Sequence, residues 1–86
     1  MAGALILINA EVGSMREVYN KIRNMEQVKE AEMMTGPYDI MAVVRADEMS
    51  TITDFLLSEI RNIKGVKETT TNVFIERPPW HEVYER

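Results

Sequence analysis

Nine residues of this chain, Ile22-Arg23-Asn24-Met25-Glu26-Gln27-Val28-Lys29-Glu30, recur 38 positions later as Ile60-Arg61-Asn62-Ile63-Lys64-Gly65-Val66-Lys67-Glu68, with six of the nine identical. The same offset aligns Val18 with Leu56, so the correspondence reaches back into the preceding segment. In each copy a stretch with helical spacing of apolar residues hands over to a β-rich stretch. With only 86 residues available, one core is expected rather than two. The chain therefore reads as one domain built from two homologous βαβ halves.

Ala4 to Val12 carries Leu5-Ile6-Leu7-Ile8, apolar on both alternating faces, as a central strand is. Ser14 stands three residues before Glu17, the spacing of a capping box, and Met15, Val18, Tyr19, Ile22 and Met25 follow as one apolar helix face. Val28 to Thr35 alternates Lys29, Ala31 and Met33 with Glu30, Glu32 and Met34, which suits an edge strand. After the Gly36-Pro37 break, Ile40 to Ala46 is again apolar on both sides, a second central strand. Asp47 and Ser50 compete as N-caps for a helix with Ile52, Phe55, Leu56, Ile60 and Ile63 on one stripe, and Gly65 ends it as a left-handed cap. Val66 to Glu76, rich in threonine, is the other edge, closed off by Pro78-Pro79.

Two right-handed βαβ halves of this polarity interlock as an α+β, ferredoxin-like βαββαβ fold, an antiparallel sheet of order 4-1-3-2 with both helices on one face. The central strands present Leu5, Leu7, Ile40, Ala42 and Val44 and also Ile6, Ile8, Met41 and Val43. Helices cover only one of these faces. A second subunit is the simplest cover for the other.

Fourteen acidic against ten basic residues, a net charge of −4, disfavour a direct nucleic-acid binder, whose affinity rests on a cationic surplus. The absence of cysteine excludes disulfides, thiolate metal sites and thiol catalysis, and fits a reducing, cytoplasmic compartment. The start MAGALILINAEV has no basic residue before its apolar run, so a strand is expected there rather than a signal peptide. No run approaches the roughly 18 apolar residues a membrane span needs, and no membrane partner is expected. His81 is the single histidine and follows Pro79, leaving no His pair for a metal and no Ser-His-acid set. No catalytic residue, metal or cofactor is therefore expected.

Two segments place polar groups usefully. Thr35-Gly36-Pro37-Tyr38-Asp39 offers an approachable backbone, an aromatic ring and a carboxylate, a set able to hold an ammonium group. Thr69-Thr70-Thr71-Asn72 offers hydroxyl and amide partners for a carboxylate or amide on an edge strand. The same segments also read as a hairpin turn and a β-branched edge strand. Residue types alone leave both readings open.

Taken in order, Leu5-Ile6-Leu7-Ile8-Asn9 leading to Gly13, Val28-Lys29-Glu30, Thr35-Gly36-Pro37-Tyr38-Asp39-Ile40 and Ile63-Lys64-Gly65-Val66-Lys67-Glu68-Thr69-Thr70-Thr71 resemble the Lrp/AsnC effector domain, also called RAM, over residues 3 to 76. The resemblance implies residues 1–76 as the ligand-binding domain and does not cover the tail 77–86, whose Trp80 and Tyr84, four apart, read either as a docking contact on a neighbouring subunit or as part of a frayed terminus. It implies a homodimer formed through the sheets (a dimeric α+β barrel), assembled further into an octamer of four dimers, with small effectors, usually amino acids, held between dimers. By position, Gly36, Tyr38 and Asp39 match the family's G-x-Y-D turn, and Thr69, Thr70 and Thr71 its threonine strand. Asp39 would pair with an α-ammonium and backbone N–H groups with the carboxylate. The chain begins at strand one without a helix-turn-helix and so resembles the stand-alone members, which implies a regulatory module that modulates full-length relatives by mixed assembly rather than by binding DNA. Two other classes stay open: a small dimeric ferredoxin-like enzyme of the monooxygenase or isomerase kind, and a purely structural assembly unit.

Overall fold

The computed structural model describes residues 2–75; the tail, with Trp80, His81 and Tyr84, lies outside the described residues. The elements are β1 (Ala2–Ala10), α1 (Met15–Arg23), β2 (Val28–Met33), β3 (Ile40–Ala46), α2 (Met49–Phe55) with a π-helical turn (Leu56–Ile60) directly after it, and β4 (Val66–Val73). The four strands pair antiparallel in the order β2-β3-β1-β4, the expected order read from the opposite edge. The strands expected to be central are central.

The repeat is visible atom by atom. Met25 N–H donates to Ile22 O and Val28 N–H to Met25 O, each at 3.1 Å; at the same offset Ile63 donates to Ile60 at 3.2 Å and Val66 to Ile63 at 3.1 Å. The shared asparagines also act alike, Asn24 Nδ2 donating to Asn20 O at 2.8 Å and Asn62 Nδ2 to Ser58 O at 2.9 Å. Both take up a carbonyl that a helix C-terminus leaves without an intrahelical partner. The sequence identity thus encodes the same hydrogen bonds at both helix exits, although the turns differ in backbone at Gly65, which takes φ +101° where its counterpart Gln27 takes no positive φ.

Register decides which apolar residues share a face. Ile6 opposes Ala42, Ala4 opposes Val44 and Ile8 opposes Ile40, so residues of even number on both strands lie together under the helices. Grouping Leu5 and Leu7 with Ile40, Ala42 and Val44 is therefore incorrect, because parity along a single strand carries no information about its partner. Ala4, Ile6, Ile8, Ile40, Ala42 and Val44 are fully buried against Val18, Ile22, Ile52, Phe55 and Ile60. On the other face Leu5, Leu7, Met41 and Val43 are only half-buried.

Both expected helix starts differ in detail. Ser14 does occupy the N-cap of α1, but with φ −103° and ψ −5° it is already helical, and its side chain makes no capping bond; a capping side chain reaches back only from an extended backbone. Before α2 the N-cap is Glu48, extended at φ −130° and ψ 148° and also without a side-chain bond, while Asp47 lies one residue too early and Ser50 falls inside the helix. Three strands are shorter at their C-terminal ends than their sequence patterns suggest, β1 ending at Ala10, β2 at Met33 and β4 at Val73. Met15 stays exposed instead of joining the packed face.

The π-helical turn answers a spacing problem. Phe55 and Ile60 are both buried, yet five residues of α-helix advance by about 500°, which would leave them about 140° apart. Widening the turn, with Arg61 N–H donating to Leu56 O at 3.0 Å, brings both onto the core side. Leu56 is left half-buried and Leu57 exposed.

Candidate ligand-binding site

The turn between β2 and β3 is the junction of the two halves. Gly36 sits there at φ +120°, a conformation that L side chains rarely adopt, with no atom near where a Cβ would be. Asp39 is held on three sides. Its N–H donates to Ile8 O at 3.0 Å, its carbonyl accepts from Met34 N–H at 2.9 Å, and its Oδ2 accepts from Ala10 N–H at 2.9 Å. The last bond falls where the β1–β4 register shifts between Asn9 and Ala10, so the carboxylate ties down the end of β1.

Tyr38 and Thr70 meet across 32 residues of chain, their hydroxyl oxygens 3.0 Å apart. This contact spans from the junction turn to the outer strand β4. Thr70 opposes Leu7 and shares its open face, whereas Thr69 opposes Ile8 and Thr71 opposes Ile6, which places both on the helix side of the sheet. The structure thus brings Tyr38, Asp39 and Thr70 to one end of the sheet. It separates Thr69 and Thr71 from them, as strand alternation requires.

Neighbouring groups complete this end. Asn9 Nδ2 donates to Glu68 Oε1 at 3.2 Å, while Asn72, opposite Leu5 and farther from this end, donates its Nδ2 to Leu5 O at 3.4 Å. Asn9 and Glu68 were not among the residues expected from sequence, although the alternation of Leu5, Leu7 and Asn9 already aligned Asn9 with the open face. With Asp39, Glu68 and, on β2, Glu32 opposite Met41, the end is acidic. Carboxylates, hydroxyls and a carboxamide gathered on a surface where Asn9, Tyr38 and Asp39 are half-buried and Glu32, Glu68 and Thr70 exposed suit a small, polar, positively charged group. Among the described residues no cluster of His, Cys, Asp and Glu is arranged to hold a metal ion, and no helix is long and apolar enough to cross a membrane.

A four-stranded antiparallel sheet of this order with two helices on one face defines a ferredoxin-like α+β domain. Residues 3–82 match the family model of the Lrp/AsnC ligand binding domain, and the chain belongs to that family. Its curated relatives are transcriptional regulators. An uncharacterized HTH-type transcriptional regulator of Pyrococcus furiosus is 29% identical over 77 residues, covering 90% of this chain and 52% of the relative. The chain spans about half the length of the first such relatives it matches. The crystal structure of a hypothetical protein from Pyrococcus horikoshii is 30% identical, with all of both chains covered and a TM-score of 0.83. A transcriptional regulator of Neisseria meningitidis, solved as its L-Met complex, shares the fold at a TM-score of 0.79 and 17% identity, over 95% of this chain and 58% of that one.

Proposed function

We propose that this chain is an amino-acid-sensing module that self-associates through its open sheet face and modulates transcription regulators of its own family in the cytoplasm. The observation that carries this reading is the Tyr38–Thr70 hydroxyl contact at 3.0 Å, which assembles the junction turn and the threonine strand into one polar end beside Asp39. An ionised carboxylate offers about four acceptor positions, so the Ala10 bond leaves Asp39 capacity to accept from an α-ammonium. Gly36 leaves the backbone approachable for the ligand's carboxylate. The meningococcal methionine complex supports an amino acid as the class of ligand, and a site at the rim of the sheet fits assembly of dimers into a ring, an octamer of four dimers being the expected form. A ligand shared between subunits shifts assembly by mass action. Thr69 and Thr71, on the opposite face, would serve a neighbouring contact rather than the same ligand atoms.

Calorimetry of the assembled protein against the twenty amino acids tests the reading; if none binds at millimolar concentration while other metabolites do, the effector class is wrong. Asp39→Asn separates two roles of one side chain. It keeps an oxygen for Ala10 N–H, so thermal stability should change little, but it removes the charge for an ammonium, and affinity should fall by about ten- to a hundredfold.

The Asp39–Ala10 bond also favours a second reading, in which Asp39 is structural and the chain only an assembly unit. That reading is supported if Asp39→Ala changes neither ligand binding nor oligomer size. An enzymatic role is not favoured, since the family model is that of a ligand binding domain and the relatives are transcriptional regulators.

A further inference from the structure

The polar end of the sheet holds more hydrogen-bond acceptors than donors. Asn9 opposes Glu68, and Asp39 precedes Ile40, which opposes Ile8, so Asp39, Asn9 and Glu68 form a row across β3, β1 and β4. Asn9 Nδ2 donates to Glu68 Oε1 at 3.2 Å, and Ala10 N–H to Asp39 Oδ2 at 2.9 Å. An ionised carboxylate has about four acceptor positions, so both keep spare capacity, and Asn9 Oδ1 adds another acceptor. The Tyr38–Thr70 contact uses one of the two hydroxyl hydrogens. Glu32, opposite Met41, is a third carboxylate toward this end. Arg45, the cation in register on the open face among the described residues, opposes Gly3 at the far end, with Glu30 beside it opposite Val43. Lys29 and Lys67 are the extra residues at the two register shifts, and the single Lys67 at the polar end does not offset Asp39, Glu32 and Glu68.

We infer that this end selects an amino acid with a cationic side chain, Asp39 accepting from the α-ammonium and Glu68 from the side-chain ammonium or guanidinium. This rests on the amino-acid reading proposed above and narrows it to one class of ligand. Adjacent strands stand about 4.8 Å apart, so β3 and β4 lie about 10 Å apart across β1. Two N–H···O bonds and a side chain of three or four carbons bridge that span, which fits ornithine, lysine and arginine. A neutral side chain of the same length leaves Glu68 to water. An acidic one sets a carboxylate against Glu68, Asp39 and Glu32, and like charges brought together disfavour it. Asn9 is a positioning residue: its bond fixes one oxygen of Glu68 and leaves the other for the ligand. Because Glu68 is exposed, the charge-assisted bond is partly screened, and a preference of about tenfold is expected rather than a much larger one.

Calorimetry of the full chain with lysine and with norleucine, which lacks only the side-chain nitrogen, tests the selection. Lysine should bind about tenfold more tightly. Glu68→Gln keeps an oxygen for Asn9 Nδ2 but loses the charge, and should bring the two ligands to within about threefold. Glu68→Lys should invert the order of charged ligands, so that glutamate binds better than lysine, a gain not expected from a variant that merely unfolds. The inference is overturned, and the amino-acid reading kept, if the wild-type chain binds norleucine as tightly as lysine, if Glu68→Gln leaves the preference unchanged, or if other amino acids bind while lysine, ornithine and arginine do not. Cadaverine, a diamine without a carboxylate, overturns the amino-acid reading and this narrowing of it together if it binds as tightly as lysine. Binding of none of the twenty amino acids at millimolar concentration overturns the amino-acid reading itself.

Discussion

Gly36 and Gly65 both hold backbone angles that other residues adopt poorly, φ +120° and φ +101°, but their surroundings differ. Around Gly36 nothing stands near a Cβ position, whereas at Gly65 a Cβ would fall 2.8 Å from Ser14 Cβ and 3.1 Å from Val18 Cγ2. Gly36→Ala should therefore cost about 1 kcal/mol of backbone strain alone, and Gly65→Ala about 2–3 kcal/mol because the core-facing start of α1 must also move. Urea denaturation of both variants checks the order. The twin asparagines should respond equally, Asn24→Ala and Asn62→Ala each losing about 0.5–1.5 kcal/mol; a large difference would mean that the two turns are not equivalent. At this scale the candidate site was half legible. Gly36, Tyr38 and Asp39 fall within four consecutive residues around Pro37 and announce themselves as a turn, but the use of Asp39 Oδ2 by Ala10 N–H depends on a register shift that no local pattern encodes.

Among the elements, the stripe Ile52, Phe55, Leu56, Ile60 and Ile63 was readable as apolar and was read as one α-helix running to Gly65. The helix instead ends at Ile60, with Ile63 and Gly65 in the bend beyond it; Leu56 is only half-buried, and the buried pair Phe55 and Ile60 spans a wider turn. Truncation should distinguish the two sides of that turn. Ile60→Ala, fully buried, should cost about 2–5 kcal/mol, whereas Leu57→Ala, 52% exposed, should stay within about 0.5 kcal/mol; thermal melts followed by circular dichroism measure both. Strand identity and rank were legible because central strands need apolar residues on both faces and edge strands do not. The helix caps were not, since a serine at the right spacing caps only if its own backbone is extended, and the packing of Ser14 beneath Gly65 accompanies a helical one.

For the whole molecule, the order β2-β3-β1-β4 followed from duplication plus the handedness of βαβ connections, while the assignment of residues to faces needed the inter-strand register. The half-buried strip of Leu5, Leu7, Met41 and Val43 carries the proposed self-association, so Leu7→Lys should sediment as a monomer at concentrations where the wild-type chain is dimeric, with its far-ultraviolet spectrum unchanged. Unaltered sedimentation would place the contact elsewhere.

Duplication supplies a twin for each strand and helix, but the junction turn stands between the copies. Thirty-eight residues beyond Gly36 lies Phe74, past the end of β4, and the counterpart of Thr70 is Glu32 on β2. The pseudo-symmetric position therefore has neither the turn nor the hydroxyl. A domain with two like halves is thus expected to bind one equivalent of ligand per chain, and a titration that saturates at two would point to sites on the elements rather than at the seam.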